Sequence, residues 1–400
     1  MQPNRVMYQH RTCSGATTCN QIDKGHGDIV NIAMALYHQR VGDVRFSRTI
    51  IDQIILNNYH TDGLWDFKVG TSAGQGNSAN HFDNPNSGPV LVFDDDGETL
   101  KESSTYKEKG IQNALDQIAK NRDAYVAEVR PNSAGLFNIS QSIGRLGQNL
   151  HTLADFYAHT NWVDSSDRGG SYKNVAYWLG VPPATALAVK MPDGRTKVPS
   201  SSVAGDDSLQ NFYESGWVPT GLGKATLWDE SASVDGGQLY SGSALDPHFH
   251  DAKDSDNTPS THAYWNKDYA TSEGGAIKLP ADVRAQLKAD GIYTWEAQVY
   301  KKSNPLPAGT VFINDKGKSD LPEEEGVIYV RKKVKTYYDL AFALAIQHTV
   351  EEIYDFYEKT GSVEFGGMSL QEVLKMDKGK LKANNIYYKD FPDKMTGYSP

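Results

Sequence analysis

The stretch HTLADFYAHTNW, residues 151–162, carries His151, Asp155 and His159 at steps of four. At about 100° per residue, the three side chains fall within an arc of roughly 80° on one helix face. Neutral imidazole and carboxylate are donors that zinc accepts, so the row suits metal ligation. The plainer reading is a His–Asp seam that orients one helix against another. Gly144, Gly147, Ala154 and Ala158 lie on or beside the arc and leave room for a second helix or for metal ions. Partner ligands elsewhere in the chain decide between the two.

The elements that must position this row are helical. Ile143, Leu146, Leu150, Leu153 and Tyr157 recur at helical spacing and predict a helix with a buried side, with Ser140 as its cap. Residues 25–58 read as two helices broken near Gly42-Asp43, Lys109–Val129 as another, and 336–358 as a long amphipathic helix. Residues 309–333 look like a strand pair around a charged turn, within a β-hairpin-like element over 305–335. Residues 165–260, rich in Gly, Ser, Asp and Pro, read as a loop-rich insertion around a site. The expected fold is mainly α: a single catalytic helical domain over 1–375 and a C-terminal tail over 376–400.

Composition narrows the function classes. With 40 basic against 50 acidic residues the net charge is −10, so long-range attraction to nucleic acid or anionic lipid is not expected. No run approaches the ~20 apolar residues of a membrane span. The first residues lack the apolar core of a signal peptide; export would use a signal already removed or another route. Cys13 and Cys19, the only cysteines, allow one disulfide or two thiols but no zinc–thiolate site.

Candidate partner ligands come from the eleven histidines. His26 opens the first helix in KGHGDIVNIAMAL, and His81 lies in SANHFDNPNSG, some fifteen residues after Asp66 in GLWDF. His262 lies in STHAYWNKD with Asp268 after it, and His248 and His250 lie in DPHFHDAKD.

On these motifs (GH…IVNIAM, the Asp66…HF-D/N-P segment, LG··LH···D and a late histidine with a carboxylate) the chain resembles bacterial zinc-dependent phospholipase C, which shares an all-α trinuclear-zinc fold with P1-type nucleases. HTLADFYAHTNWVD is closer to a divergent phosphatidylcholine-hydrolysing branch, and also resembles a motif of the fungal heterokaryon-incompatibility protein and of some von Willebrand A-domain proteins. The resemblance covers residues 20–165, then 260–270. It implies a phospholipase C/P1 nuclease-like helical bundle with three Zn²⁺ ions. Asp66, His81, His151 and Asp155 would hold one; Asp155 would bridge to a second, completed by His26 and an N-terminal group; His159, His262 and a carboxylate would hold the third. The chain departs from the pattern in three places. Asp155 and His159 are one turn apart, where the bacterial enzymes have a longer gap. Asn266 stands where the family has its last acidic ligand, which leaves Asp268 first and His250 with Asp254 second. The N-terminal ligand has no counterpart, although His10 could replace it.

The implied reaction is hydrolysis of the glycerol-side phosphodiester of phosphatidylcholine to diacylglycerol and phosphocholine, at a membrane or micelle surface, by a secreted or exported enzyme. Clustered Zn²⁺ neutralises phosphate and lowers the pKa of a bound water towards ~7; Asp66 could orient or deprotonate that water. Asn161 and Asp164 are candidates for orienting the histidines. Trp65, Phe67, Phe82, Trp162 and Trp265 could line a cleft for choline or pack the core. Two alternatives stay open: a P1-like nuclease or other phosphoesterase, and a non-catalytic interaction protein on the same fold.

Overall fold

Gly42 takes a left-handed conformation (φ +68°) and donates its N–H to the His38 carbonyl, ending the first helix. The break expected near Gly42-Asp43 therefore has a local cause. The computed structural model describes residues 25–61, 80–82, 91–93, 100–102, 110–127, 129–131, 137–164, 189–190, 196–197, 267, 275–289, 292–301, 306–311, 325–361, 363–365 and 367–387.

Among these, the helices are α1 (His26–Val41), α2 (Arg48–Thr61), α3 (Gly110–Ala127), α4 (Ser140–His159), α5 (Ala281–Ala289), α6 (Tyr337–Thr360), α7 (Leu370–Leu374) and α8 (Lys378–Ala383). The described part is mainly helical with a small antiparallel sheet. Thr336 and Asp339 cap α6 reciprocally: Asp339 N–H donates to Thr336 Oγ1 (3.2 Å) and Thr336 N–H to Asp339 Oδ2 (3.3 Å). Ser140 does not cap α4. It is the first helical residue, and Ile139 is the cap, without a side-chain hydrogen bond. A buried isoleucine cannot bond the free amides, so packing rather than capping starts this helix.

Helix α4 is central, packed against α2, α3 and α6, while α1 packs on α2 and α6. Leu146, Leu150, Leu153 and Tyr157 are fully buried, but so are Asn149 and His151. The polar row is thus interior, and a solvated face is excluded. Gly147 permits the α2–α4 approach: a Cβ there would lie 2.6 Å from the Ile54 carbonyl oxygen and 3.0 Å from the Asn58 nitrogen.

The strands are β1 (Leu91–Phe93), β2 (Leu100–Glu102), β3 (Arg130–Pro131), β4 (Phe137–Asn138), β5 (Val189–Lys190), β6 (Thr196–Lys197), β7 (Tyr293–Lys301), β8 (Thr310–Val311), β9 (Glu325–Lys333), β10 (Glu364–Phe365), β11 (Met368–Ser369) and β12 (Ile386–Tyr387). The expected pair over 309–333 exists as β8 and β9, but β9 is the centre of a three-stranded antiparallel sheet, with β7 along its other edge. The chain from residue 376, expected as a tail, contributes α8 and β12; Leu381 and Ile386 are buried in the main core, and β12 pairs in parallel with β4. Of the 165–260 insertion, only the two-residue strands β5 and β6 lie within the described residues. Among the described residues no helix is long and apolar enough to cross a membrane.

Candidate metal centre

Three elements bring imidazoles to Asp155 from different directions. His26 is the first residue of α1, and Asp28 fixes that terminus. Asp28 Oδ2 accepts from Gly25 N–H (3.0 Å), and its Oδ1 accepts from the Tyr329 hydroxyl on β9 (2.6 Å). His151, Asp155 and His159 project from successive turns of α4. His81 lies in the short segment 80–82, which α4 holds at both ends. Gln148 Nε2 donates to Asn80 Oδ1 (3.0 Å), and Phe82 packs edge-on against Phe156 (5.1 Å between centroids). Phe82 has φ +54°, a left-handed conformation costing about 1–2 kcal/mol for a side chain of this kind. Its packing offsets that strain.

Asp155 is 1 % exposed. His81 Nδ1 lies 2.8 Å and His151 Nε2 3.1 Å from its Oδ2, and His26 Nε2 lies 3.1 Å from its Oδ1. His159 joins at longer range, its Nδ1 3.9 Å from Oδ2 and 3.2 Å from the His81 carbonyl oxygen. The rings of His26 and His151 stack at 4.1 Å, and His151 Nε2 is 3.2 Å from His81 Nδ1. Burial opposes ionisation of Asp155, but the facing His151, His159 and His26 outweigh it and hold the carboxyl well below the usual carboxylate range.

This donor set fits a metal. His26, His151 and Asp155 form a group able to hold an ion, their ligand atoms all lying within 4.8 Å of one another. One imidazolium would suffice to pair one buried carboxylate; a ring of four is more than an ion pair needs. Among the described residues, Asp155 Oδ1 and His26 Nδ1 are also buried without a hydrogen-bond partner; His26 Nε2 approaches Oδ1 without hydrogen-bond alignment. Buried polar atoms are nearly always paired, so two such atoms in one cluster call for a bound group or for a partner from outside the described residues.

Two other histidines have structural duties. His38 Nε2 accepts from Phe46 N–H (3.2 Å), and His348 Nδ1 is 3.0 Å from the Tyr157 hydroxyl. The expected ligands His10, Asp66, His250, Asp254, His262 and Asp268, and the aromatics Trp65 and Trp265, lie outside the described residues. Phe82 and Trp162 are 0 % and 3 % exposed and both pack on Phe156. Of the two readings of these aromatics, a cleft lining or core packing, the packing on Phe156 is what the described residues show.

The Asp164 carboxylate pairs with the buried Lys267 (2.9 Å). Lys267 also donates from Nζ to the Thr160 carbonyl and from its backbone N–H to the Ala158 carbonyl, so it is tied to the turn that carries His159. The residue missed in the sequence is Asn58, whose Oδ1 is 3.3 Å from His151 Nδ1. A polar pair, Asn57-Asn58, ending the apolar run Ile54-Ile55-Leu56 was the available signal.

A buried polar chain stands behind the site. Arg122 pairs with Glu352 (Nε–Oε2 3.1 Å), Tyr125 donates to Glu352 Oε1 (2.6 Å), and Asn149 Nδ2 donates to the Tyr125 oxygen (2.7 Å). Asn121 then donates to both Asn149 Oδ1 (2.8 Å) and Gln148 Oε1 (2.9 Å). The chain ends at Asn80, beside His81. Compared with protein-family models, curated proteins and solved structures, the sequence has no match in any of the three.

Proposed function

We propose that the protein is a zinc-dependent phosphodiester hydrolase of the phospholipase C type, acting on phosphatidylcholine at a membrane or micelle surface. The observation that supports this most strongly is the convergence of His26, His81, His151 and His159 on the buried Asp155, whose Oδ1, like His26 Nδ1, has no hydrogen-bond partner among the described residues. Zinc bound there would neutralise phosphate oxygens and lower the pKa of water towards ~7.

The protein's own groups do the rest. Asp155, ionised at neutral pH, offers its two oxygens to opposite sides, Oδ1 towards His26 and Oδ2 towards His81 and His151; this is the arrangement a bridging carboxylate needs in a trinuclear centre. His159, with His262 and Asp268, would complete a further ion. Asp66 would orient the attacking water and take its proton. Trp65 and Trp265 would supply aromatic faces for the choline cation. The enzyme would act outside the cell.

The test is release of phosphocholine from phosphatidylcholine, with hydrolysis of single-stranded nucleic acid measured beside it. Phosphocholine release by the wild type, reduced at least about 10³-fold in Asp155→Ala, is the expected result. Cleavage of nucleic acid alone would assign the centre to the P1-like class, and neither activity in zinc-loaded protein would overturn the enzymatic reading.

A further inference from the structure

We infer that Lys267 is a positioning residue that holds His159 in the metal centre. His159 is the last residue of α4, and a helix end leaves its final carbonyls without intrahelical partners and frays most readily. His151 and Asp155 are fixed by the body of the helix, whereas a ligand at its end needs an outside restraint. Lys267 supplies one on both sides of His159. Its backbone N–H donates to the Ala158 carbonyl (3.0 Å) and its Nζ to the Thr160 carbonyl (2.9 Å). One residue, 107 positions beyond Thr160, thus grips the carbonyls before and after the ligand. An ammonium beside a helix C-terminus also suits the macrodipole.

The charge is neutralised where it stands. Asp164 Oδ2, just past the helical turn Asn161–Val163, lies 2.9 Å from Nζ, and both side chains are 0 % exposed. Replacing a buried ion pair by apolar residues of similar volume is often neutral for stability, and the best-attested use of such a pair is to set register. Here the register is that of the 158–164 turn against Lys267. It keeps His159 Nδ1 3.2 Å from the His81 carbonyl oxygen and 3.9 Å from Asp155 Oδ2. Asp268, the carboxylate proposed to share an ion with His159, is the next residue in sequence after Lys267. The inference rests on the metal-centre reading, but its first readout does not require metal.

The test pairs amide hydrogen exchange on metal-free protein with zinc titration. In wild type the amides of Lys267 and Thr160 are expected to be protected together. The double substitution Lys267→Met with Asp164→Leu removes both buried charges. It should speed exchange at Thr160 about tenfold or more while leaving Leu150 unchanged. It should also weaken one zinc-binding step about 10–100-fold and spare the others. His159→Ala should weaken the same step, and adding the double substitution to it should weaken that step no further. An unprotected Lys267 amide in folded wild type would overturn the inference even if the double variant fails to fold. So would unchanged exchange or unchanged zinc affinity in a folded double variant. Equal weakening of every step, or further weakening in the His159→Ala background, would also overturn it and make the lysine a general support of the fold. Faster exchange at Thr160 in protein that never binds zinc would uphold the role of Lys267 at His159 and count against the metal centre alone.

Discussion

Gln148 Nε2 donates to Asn80 Oδ1 at 3.0 Å, so the helix that carries His151 and Asp155 also holds the residue next to His81. A ligand from a short loop segment is thereby registered to two ligands from a helix. Replacing Gln148 by Leu leaves the buried Asn80 oxygen unsatisfied, a cost of about 1–3 kcal/mol. Zinc titration should show affinity falling about tenfold, with the far-UV circular dichroism unchanged.

Gly147 is the contact that sets the α2–α4 distance. In Gly147→Ala the new methyl would stand 2.6 Å from the Ile54 carbonyl oxygen and 2.8 Å from Asn57 Cβ. The better helix propensity of alanine is outweighed by about 1–3 kcal/mol of overpacking. Urea denaturation should give a lower midpoint with an unchanged slope.

Arg122 and Glu352 are both buried, and the pair holds α3 to α6 behind the site. Arg122→Met should cost about 3–5 kcal/mol by leaving a carboxylate unpaired, and the double substitution Arg122→Met with Glu352→Leu should recover part of that loss. Equilibrium unfolding of the two variants checks the order.

Acid should destabilise the fold in two stages. Burial pushes His348 from 6.5 down to about 3. Burial disfavours the charge of Glu352, but Arg122 outweighs it and holds the carboxyl at about 2, down from 4.5. Both groups bind a proton less readily when folded, so the stability they contribute is complete above the unfolded values and declines below them. The decline starts below pH 6.5 from His348, steepens below 4.5 as Glu352 joins, and ends near 2. His348→Gln should remove the first stage in a pH series of denaturation midpoints, measured on metal-free protein so that ligand protonation does not contribute.

The helical elements and the central row were legible because their signals are local. Apolar spacing around Leu146, Leu150 and Leu153 marked α4, the Gly42 break marked the end of α1, and steps of four aligned His151, Asp155 and His159. Burial of that row was harder to read, because it depends on α2, α3 and α6 closing around α4. Strand β7 has a period-two pattern but its partner β9 lies beyond β8 in sequence, so the sheet reads as a pair. Leu381 and Ile386 are isolated apolar residues in a polar segment, and only the parallel contact of β12 with β4 shows where they pack. Asn58 escaped notice because the Asn57-Asn58 pair does not say in sequence what it faces; its meaning comes from lying opposite His151.

The most direct measurement is elemental analysis of wild type and Asp155→Ala, both purified with added zinc. The account predicts two to three zinc ions per wild-type chain and their joint loss in the variant, since one carboxylate faces histidines on both sides. Wild-type protein that emerges without metal, or a variant that keeps the full complement, would contradict it and leave His151, Asp155 and His159 as a packed polar seam.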